Sequence, residues 1–565
     1  MHILGLNDSN SAAAIIRDGK LIAAAREERF DRIKNSDAFP AKAVSYCLKA
    51  AGISISEVDH VVFAWNPGHE LEPLDDTAAV REHKQFLHYV PNNLLAFVGG
   101  HKSNKRIGAI SQRLEMPGWD MDIHYLPHHQ CHAAGAFFVS PYDEALVLTG
   151  DAYGDDITTQ LFHGRGNKLT PLAETKFPHS IGSVYAAVTQ YLGFRANIDE
   201  WKVMGLSPYG DKTYYDEFAR ILRFDEKTGR IKVDLDYFTY YIWSPRRYSD
   251  LFEERFGPER YYGDAIEQRH KDIAASFQAV VEDVYIAAIR YGVEKTGTRN
   301  LCLSGGCAMN SKMNGRILAE GVVDNLYVQS SADDGGACLG ACFYYWNGVL
   351  GHPREFEYTH DFWGPGFTDE EIREALEDAK QPYEQVDNIE ATAAAFIAQG
   401  NIVGWFQGRQ EYGQRALGNR SILADPRSPE MKDRINACVK HREEFRPFAP
   451  SIQEERTGEY FEVDYPVPFM QKVFLIREDK RKDIPAVTHV DGSGRLQTVS
   501  RKTNPRYWRL IDEFSKLSGV PIVLNTSFND NDEPIVTSPK DALRCFSGTG
   551  MDILCIGQYV VKKGA

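Results

Sequence analysis

The stretch Ala145-Leu-Val-Leu-Thr-Gly-Asp-Ala-Tyr-Gly-Asp-Asp156, followed by Thr158-Thr-Gln-Leu-Phe162, decides the fold. An apolar run passes through a Gly-Asp turn into a second apolar run, which predicts a strand, a tight turn and a returning strand. The beginning of the chain has the same form, with apolar runs at Ile3–Leu6 and Ala12–Ile16. Two such strand groups, separated by helical segments, predict a duplicated α/β lobe.

A change of composition marks the end of this lobe. Residues 351–367 are aromatic, aperiodic and interrupted by glycine and proline, which is typical of a domain boundary. Thr368-Asp-Glu-Glu371 then has the form of a helix cap. We therefore predict two α/β domains, residues 1–354 and 366–565. The second is expected to contain apolar strands at 402–406, 469–475 and 520–524.

Composition narrows the class of protein. The chain has 565 residues, of which 43% are hydrophobic and 25% charged, as in soluble globular proteins. Its net charge of −15 disfavours nucleic acid and anionic membranes as partners. It has no apolar run long enough for a bilayer, and its first residues do not resemble a secretory signal, so we expect a cytoplasmic protein. Nine scattered cysteines without a Cys-x-x-Cys pair argue against a disulfide scaffold.

The most specific local pattern is His128-His129-Gln-Cys-His132. On a helix, residues four apart differ by about 40° in direction, so His128 and His132 lie on one face. Asp151 at a strand end and Asp334 in a loop can complete a set of two imidazoles and two carboxylates. Such a set suits Fe(II) or Mn(II), with Zn(II) possible. The alternative is a purely structural histidine pair.

Glycine turns recur where strands are predicted to end. They lie at Gly150–Gly154, at Gly305-Gly306 and at Gly335-Gly336, with Lys202 and Asn310 nearby in sequence motifs. Backbone N–H groups in such turns can approach phosphates, and the helix N-termini that follow favour negative charge. The turns are consistent with a nucleotide cleft, although each one alone is equally a tight turn.

The second domain contains a basic region. Residues 405–450 hold nine Lys or Arg and six Asp or Glu, a local charge of +3 in a protein of −15. Arginine held by glycine- and proline-rich backbone is suited to bidentate capture of phosphate. The alternative is a solvated charged face. The segments 489–497 and 525–529 add polar groups at predicted strand ends.

At this point the sequence resembles the carbamoyltransferases of the nodulation-factor and cephem-antibiotic type, including the O-carbamoyltransferases of aminoglycoside and ansamycin pathways. The resemblance covers nearly the whole chain. Its motifs are His128-x-x-x-His132, Lys202-Val-Met-Gly-Leu206, Gly305-Gly-Cys-Ala-Met-Asn310, Glu411-x-Gly-x-Arg415-Ala-Leu-Gly-x-Arg420, Arg442-Glu-x-Phe-Arg446-Pro-Phe-Ala-Pro450 and Asn525-Thr-Ser-Phe-Asn529.

The resemblance implies an actin-like (ASKHA), ATP- and metal-binding domain followed by a YrdC-like domain. The second converts carbamoyl phosphate with ATP to carbamoyl adenylate, and the first passes the carbamoyl group to a hydroxyl of a small molecule. Implied metal ligands are His128, His132, Asp151 and Asp334. Implied catalytic residues are His128, His132, Asp334, Arg415 and Arg446. Implied cofactor-binding residues are Lys34, Lys202, Gly305, Gly306, Asn310, Gly335, Lys440, Arg495, Asn525 and Ser527.

One departure and several alternatives stay open. Many relatives carry His-Asp in the first turn, where this chain has Asp8-Ser9, so Asp8 is at most a candidate base. His129 is a second candidate base, or a structural hydrogen-bonding group. The aromatic stretch Tyr237–Ser244 either stacks on a sugar acceptor or fills a core. The acceptor and the oligomeric state are not legible. Competing functions are tRNA threonylcarbamoyl-type modification, a sugar kinase and a nucleotide-dependent regulatory protein.

Overall fold

The computed structural model describes residues 1–66, 101–104, 109–116, 119–242, 244–440, 442–443, 445–446 and 448–563. The chain divides into two compact units. Unit 1 comprises residues 1–22 and 47–357, and unit 2 comprises residues 23–46 and 358–565.

The division differs from the predicted ranges because residues 23–46, which begin within the strand Lys20–Arg26, group with unit 2. Two arginines of this segment explain the difference. Arg32 donates hydrogen bonds to the carbonyls of Pro534 and Ile535, and Arg29 donates to the carbonyl of Gly413. These partners are several hundred residues away in sequence, so composition near residue 30 carries no sign of them.

The described strands that lie wholly or partly in unit 1 form two main sheets and one small hairpin. They are β1 (His2–Asn7), β2 (Ala12–Arg17), β3 (Lys20–Arg26), β4 (His60–Phe63), β5 (His101–Asn104), β6 (Ala109–Met116), β7 (Trp119–Tyr125), β8 (Glu144–Gly154), β9 (Ile157–Arg165), β10 (Lys168–Lys176), β11 (Leu222–Asp225), β12 (Arg230–Val233), β13 (Asn300–Ser304) and β14 (Asn325–Val328). The sheet orders are β3-β2-β1-β4-β7-β6-β5 and β10-β9-β8-β13-β14, with β11-β12 as the hairpin.

The two main sheets repeat one topology. In the first, β1 pairs antiparallel with β2 and parallel with β4, which pairs parallel with β7. In the second, β8 pairs antiparallel with β9 and parallel with β13, which pairs parallel with β14. Each sheet therefore begins with hairpin strands and continues into parallel strands in the same order. The predicted duplicated, actin-like α/β lobe is confirmed.

The described residues of both units also form α-helices. The α-helices are Glu28–Asp31, Ala41–Ala51, His128–Phe137, Ile181–Tyr191, Glu200–Leu206, Tyr215–Ile221, Asp250–Phe256, Gln268–Thr296, Ser311–Ala319, Ala337–Phe343, Asp369–Asp378, Ile389–Ala398, Met431–Ile435, Thr457–Tyr460, Pro505–Ser518 and Pro539–Gly548.

Two short helices pack against each other in the centre of unit 1. Helix Ala337–Phe343 contacts β1 and β2, whereas helix His128–Phe137 contacts β8 and β13. Their backbones approach so closely that a Cβ atom on Gly340 would lie 1.9 Å from the carbonyl oxygen of Cys131. Glycine is required there because any side chain would separate the two helices.

The far end of helix His128–Phe137 is capped by one arginine. The Arg354 guanidinium donates hydrogen bonds to the backbone carbonyls of Phe137, Phe138, Ser140 and Tyr142. The last carbonyls of a helix lack partners within the helix, and a cation is favoured at this end by the helix dipole. Arg354 therefore fixes the direction of the helix that carries the histidine pair.

Within the aromatic stretch Tyr237–Ser244 of unit 1, Phe238 and Tyr240 are core residues, whereas Ile242 is exposed. Phe238, Tyr240, Tyr248 and Phe252 are buried and pack ring against ring. Trp243, in the same stretch, lies outside the described residues. Of the two sequence interpretations, core packing therefore applies to these four rings.

Unit 2 contains one mixed sheet of nine strands in the part of the chain that the structure describes. The strands are β15 (Glu384–Gln385), β16 (Val403–Phe406), β17 (Arg420–Ala424), β18 (Ala449–Gln453), β19 (Lys472–Leu475), β20 (Ser493–Val499), β21 (Ile522–Ser527), β22 (Ile553–Ile556) and β23 (Tyr559–Lys562). Their order is β15-β23-β22-β16-β17-β21-β18-β20-β19.

The three strands expected from the sequence correspond to β16, β19 and β21. The capping box is present, since Glu371 N–H donates to Thr368 Oγ1 and Thr368 N–H donates to Glu371 Oε2. A YrdC-like identity stays a prediction.

The sequence argues against a disulfide scaffold and against a segment that spans a bilayer, and the described residues bear on both. All nine cysteines are free thiols. No helix in the described ranges combines the length and the apolar character that crossing a bilayer requires.

Lys472 gives a stability prediction for unit 2. This lysine on β19 is buried, and its ammonium lies 5.1 Å from the centroid of the Tyr465 ring. Burial lowers the pKa of Lys472 from 10.5 to about 7. Between these two values the unfolded chain binds more protons than the folded chain. The free energy of unfolding should therefore rise with pH across this window, by up to about 1.4 kcal/mol per pH unit.

The measurement is the denaturant midpoint of wild type and Lys472→Met at pH 7 and pH 9.5. Methionine needs no deprotonation, so the variant should be more stable than wild type at pH 7 and should lose that advantage at pH 9.5. The exposed Lys516→Met variant is the matched control and should parallel wild type. Identical pH profiles for wild type and Lys472→Met would contradict the assignment.

Candidate functional site

Four predicted ligands meet in unit 1. His128 and His132 come from one helix, Asp151 from the end of β8, and Asp334 from the turn before helix Ala337–Phe343. One ligand atom of each lies within 4.8 Å of all the others. The Nε2 atom of His132 is 2.9 Å from Nε2 of His128, 3.3 Å from Asp151 Oδ2 and 3.4 Å from Asp334 Oδ1.

The outer hydrogen bonds orient both imidazoles toward the centre. His128 Nδ1 lies 2.8 Å from the carbonyl oxygen of Ala64, which can only accept, so Nδ1 carries the hydrogen. His132 Nδ1 lies 3.3 Å from Ser304 Oγ, whose hydroxyl donates to the Ala332 carbonyl. In each ring, Nε2 is therefore the nitrogen that faces the centre and can offer a lone pair to a metal ion once it carries no proton. This is how protein ligands of metal ions are usually oriented.

The cluster fits a divalent cation. Asp334 Oδ1 is buried and has no hydrogen-bond partner among the described residues, although it faces both imidazoles. Two converging lone pairs and two buried carboxylates repel one another unless a positive charge lies between them. The donor set of nitrogen and carboxylate oxygen is one that borderline divalent metals accept.

The pKa shifts in the cluster also indicate that a positive charge is favoured there. Burial lowers the pKa of His132, but the close carboxylates of Asp151 and Asp334 outweigh it and raise this pKa to about 9. Burial raises the pKa of Asp151, and the neighbouring Asp334 carboxylate raises it further. Without a metal ion, the cluster therefore retains a proton that a metal ion can replace.

Backbone and hydroxyl donors hold the two carboxylates. Ser9 Oγ donates to Asp334 Oδ2 at 2.6 Å, and Gly306 N–H donates to Asp151 Oδ2 at 3.2 Å. Ser9 occupies the turn in which this chain departs from its relatives, and its contact with Asp334 was not anticipated. The departure itself was the only signal in the sequence. Asp8 is exposed in the same turn, and its role as a base stays a prediction.

His129 has a structural environment. Its Nδ1 lies 2.8 Å from Thr149 Oγ1 and its Nε2 lies 2.9 Å from the Ile157 carbonyl, so both ring nitrogens have protein partners. Burial, together with the nearby His128 and His132, holds the pKa of His129 well below 6.5. Of the two sequence interpretations, these contacts favour the structural one.

The predicted nucleotide-binding residues lie around the glycine turns of unit 1. Gly305 has a φ of +88°, and its N–H donates to the Ala332 carbonyl. Gly335 follows Asp334 directly. Asn310 caps helix Ser311–Ala319 by accepting from Met313 N–H. The structure therefore brings Gly305, Gly306 and Gly335 beside the metal ligands, whereas Asn310 already has a capping role.

Lys202 is buried and paired rather than solvated. Its Nζ lies 3.3 Å from Asp199 Oδ2 and over the rings of Phe194 and Trp201. Ser311 contacts Met204 and Lys312 contacts Ser207, which puts the Lys202 helix beside the Asn310 cap. A nucleotide contact of Lys202 stays a prediction.

Unit 2 gathers four arginines at one place. Burial lowers the pKa of Arg495, and the charges of Arg415, Arg442 and Arg446 lower it further. Arg442 Nη2 and Arg495 Nε are buried nitrogens that no acceptor of the described residues reaches. Among the described residues, the Glu443 carboxylate lies 3.6 Å from the Arg446 guanidinium. Several partly buried cations so close together favour an anionic ligand.

Glu411 and Arg420 fix the backbone of the loop that carries Arg415. Glu411 Oε1 accepts three backbone N–H groups, from Leu417, Asn419 and Arg420. The fully buried Arg420 side chain donates to backbone carbonyls, which are those of Pro365, Gln407, Gly408 and Asn419. Glu411 and Arg420 of the basic motif therefore build the loop, whereas Arg415 belongs to the cationic cluster.

The remaining predicted residues of unit 2 form a connected network. Lys440 Nζ donates to the Ser527 carbonyl and to the carbonyl and Oδ1 of Asn529, each at 2.7 Å. Burial lowers the pKa of Lys440, and the charges of Arg442, Arg446 and Lys34 lower it further. Asn525 donates to the Ala416 carbonyl and to Gln497 Oε1. Lys34 thus lies in the same unit as Lys440, because residues 23–46 pack there.

Both parts of the chain match models of one class of enzyme. Residues 2–343 match the carbamoyltransferase N-terminus and residues 394–563 match the carbamoyltransferase C-terminus. The chain belongs to the carbamoyltransferase family, and it is therefore an enzyme that transfers a carbamoyl group.

Two curated relatives agree with this assignment. The chain is 38% identical over 576 residues to nodulation protein NolNO of Sinorhizobium fredii, covering 98% of this chain and 79% of that protein. It is 41% identical over 451 residues to nodulation protein NolO of Bradyrhizobium diazoefficiens, covering 77% of this chain and 78% of that protein.

Among solved structures, component A of (R)-2-hydroxyglutaryl-CoA dehydratase from Acidaminococcus fermentans is 14% identical, with a TM-score of 0.34. The match covers 61% of this chain and 97% of that chain. That score is too low to carry an argument.

Substitution of one imidazole tests the candidate metal site. His132→Gln removes a converging lone pair, so metal affinity should fall by more than the roughly 10–100-fold that changes to outer partners cost. The measurement is equilibrium binding of Mn(II) and Fe(II) to metal-free protein under anaerobic conditions.

The matched control is His163→Gln. His163 lies on β9 and pairs with Glu144, outside the cluster, so this variant should bind metal as wild type does. Equal metal affinity of His132→Gln and wild type would remove the site from consideration.

Proposed function

We propose that the protein is an ATP-dependent O-carbamoyltransferase. In this proposal unit 2 converts carbamoyl phosphate to carbamoyl adenylate, and unit 1 transfers the carbamoyl group to a hydroxyl of a small-molecule acceptor. The observation that carries the proposal is the cationic cluster of Arg415, Arg442, Arg446 and Arg495, in which the buried nitrogens Arg442 Nη2 and Arg495 Nε meet no acceptor among the described residues. A cytoplasmic location belongs to the same proposal.

The reaction of unit 2 follows from the weak electrophilicity of carbamate. Water releases phosphate from carbamoyl phosphate, and the carbamate oxygen then attacks the α-phosphorus of ATP to give carbamoyl adenylate and pyrophosphate. The planar guanidinium group of arginine suits each anion in this series of reactions. Phosphate, carbamate and adenylate all present oxygens in planar or tetrahedral groups that it can bind bidentately. Lys34, Lys440, Asn525 and Ser527 are the further candidates for contacts to these ligands.

The reaction of unit 1 is transfer to an alcohol. The acceptor oxygen attacks the carbamoyl carbon, the bond to AMP breaks, and the hydroxyl proton leaves to a base that we do not assign. His128, His132, Asp151 and Asp334 are the candidate holders of a divalent ion, with Fe(II) as first choice and Mn(II) or Zn(II) as alternatives. Such an ion supplies Lewis-acid polarisation of a carbonyl. Lys202, Gly305, Gly306, Asn310 and Gly335 are the candidate contacts to nucleotide.

The family assignment and the charge weigh against the alternatives. A non-catalytic regulatory protein does not agree with membership of an enzyme family. A tRNA-modifying enzyme needs phosphate neutralisation, which the net charge of −15 does not favour. A sugar kinase would release ADP rather than AMP and pyrophosphate.

Separating the half-reactions tests the proposal. Arg495→Met removes a cation from unit 2 and should abolish pyrophosphate release that depends on carbamoyl phosphate. Asp334→Asn alters only unit 1 and should retain pyrophosphate release while losing transfer to the acceptor by about 100-fold or more, as expected for loss of a charge-stabilising group. The measurements are coupled pyrophosphate release and mass spectrometry of the acceptor.

The control for the first variant is Arg477→Met, an exposed arginine of unit 2 whose guanidinium lies 3.9 Å from Asp479. It should behave as wild type in both assays. Loss of pyrophosphate release in Asp334→Asn, or release of ADP in place of AMP by wild type, would contradict the proposed division of labour.

The acceptor is best found by a product screen. ATP, carbamoyl phosphate and Fe(II) would be supplied with panels of aminoglycosides, macrolactams and glycosylated metabolites. The expected product differs from the acceptor by replacement of one hydroxyl hydrogen with CONH2. Addition of tRNA should change neither pyrophosphate release nor product formation.

A further inference from the structure

Asp155 lies in the turn between β8 and β9, next to the metal-ligand candidates but not among them. It is 7% exposed and adopts a φ of +57°, in the left-handed region. Its Oδ2 accepts a hydrogen bond from the backbone N–H of His128 at 2.8 Å, and its Oδ1 accepts from the backbone N–H of Asn66 at 2.9 Å. One carboxylate thus joins a hairpin turn, the segment after β4 and the start of a helix.

The bond to His128 is made where the helix needs an acceptor. His128 is the first residue of helix His128–Phe137 and follows Pro127, so its N–H has no partner within the helix. A negative charge is also favoured at this end of the helix by the helix dipole. Asp155 therefore holds the backbone of His128 from the side of β8, the strand that also carries Asp151.

The ring of His128 is held by the same neighbourhood. Its Nδ1 donates to the carbonyl of Ala64, two residues before Asn66. The turn also packs directly on the ring, because a Cβ atom on Gly154 would lie 2.0 Å from His128 Cδ2. The backbone and the imidazole of His128 are thus fixed by one short segment and one turn, and Asp155 links the two.

We propose that Asp155 is a positioning residue, which sets the direction in which His128 presents Nε2 to the bound metal ion. This inference rests on the proposed metal site. A carboxylate is needed because both oxygens accept from backbone N–H groups. An asparagine can accept through one oxygen only, and its NH2 group would face the second donor.

Co(II) binding tests the inference without an activity assay. Metal-free wild type, Asp155→Asn and Asp156→Asn are titrated with Co(II) and followed by visible absorption. Asp155→Asn should bind Co(II) roughly 10–100-fold more weakly, with a shifted absorption spectrum, because a displaced imidazole changes the ligand geometry. A purely structural role would alter thermal stability without changing the spectrum of the bound ion.

Asp156→Asn is the matched control, since it makes the same chemical change in the same turn. Asp156 pairs with Lys176 of β10 at 2.8 Å. This variant should bind Co(II) with the affinity and spectrum of wild type. If wild type itself fails to bind Co(II), the proposed metal site fails, and the inference fails with it.

If wild type binds and Asp155→Asn has the same affinity and spectrum, only the inference is overturned. If Asp155→Asn does not fold by circular dichroism, Asp155→Glu replaces it, because glutamate keeps the charge and both acceptors but displaces them by one methylene. Asp155→Glu should fold and bind Co(II) with a shifted spectrum. An unchanged spectrum for that variant would equally overturn the inference.

Discussion

The close approach of two helices at Gly135 and Gly340 is the constraint on which unit 1 depends. Helix His128–Phe137 carries both imidazoles, and helix Ala337–Phe343 begins just after Asp334. Because neither glycine has a side chain, the helices touch through their backbones, and the carboxylate reaches the histidines. Each helix also packs on a different copy of the repeated sheet, so the duplication of the fold is what brings these ligands together.

In each candidate site, groups that repel one another lie close together and are largely shielded from water. In unit 1 these are two carboxylates and two lone pairs, and in unit 2 they are four guanidinium groups. Such clusters are unfavourable without a counter-ligand, and the folded backbone must hold them in place. Arg354 caps the histidine helix, whereas Glu411 and Arg420 hold the loop that presents Arg415. A binding site for a cation and a binding site for an anion are therefore built by the same physical means.

Several motif residues have hydrogen-bond partners within the protein, whatever contacts they make with a ligand. Both ring nitrogens of His129 have protein partners, and Asn310 caps a helix. The ammonium of Lys440 is surrounded by oxygens of Ser527 and Asn529. A motif marks residues that the site requires, but it does not separate those that meet a ligand from those that support the ones that do. That separation depends on which polar atoms already have partners.

The amino-acid sequence was sufficient to predict the α/β class, the duplicated lobe and, together with the family resemblance, the four clustered ligands. Strand periodicity, glycine turns and the helical spacing of His128 and His132 are local properties and are legible in short windows. Only the tertiary structure decided that residues 23–46 pack in unit 2, that Ser9 contacts Asp334 and that Asp155 holds His128. The two partners of the Ser9 contact are 325 residues apart, and those of the Asp155 contact are 27 apart. Such contacts arise from the meeting of distant turns when sheets assemble, and no local period encodes them.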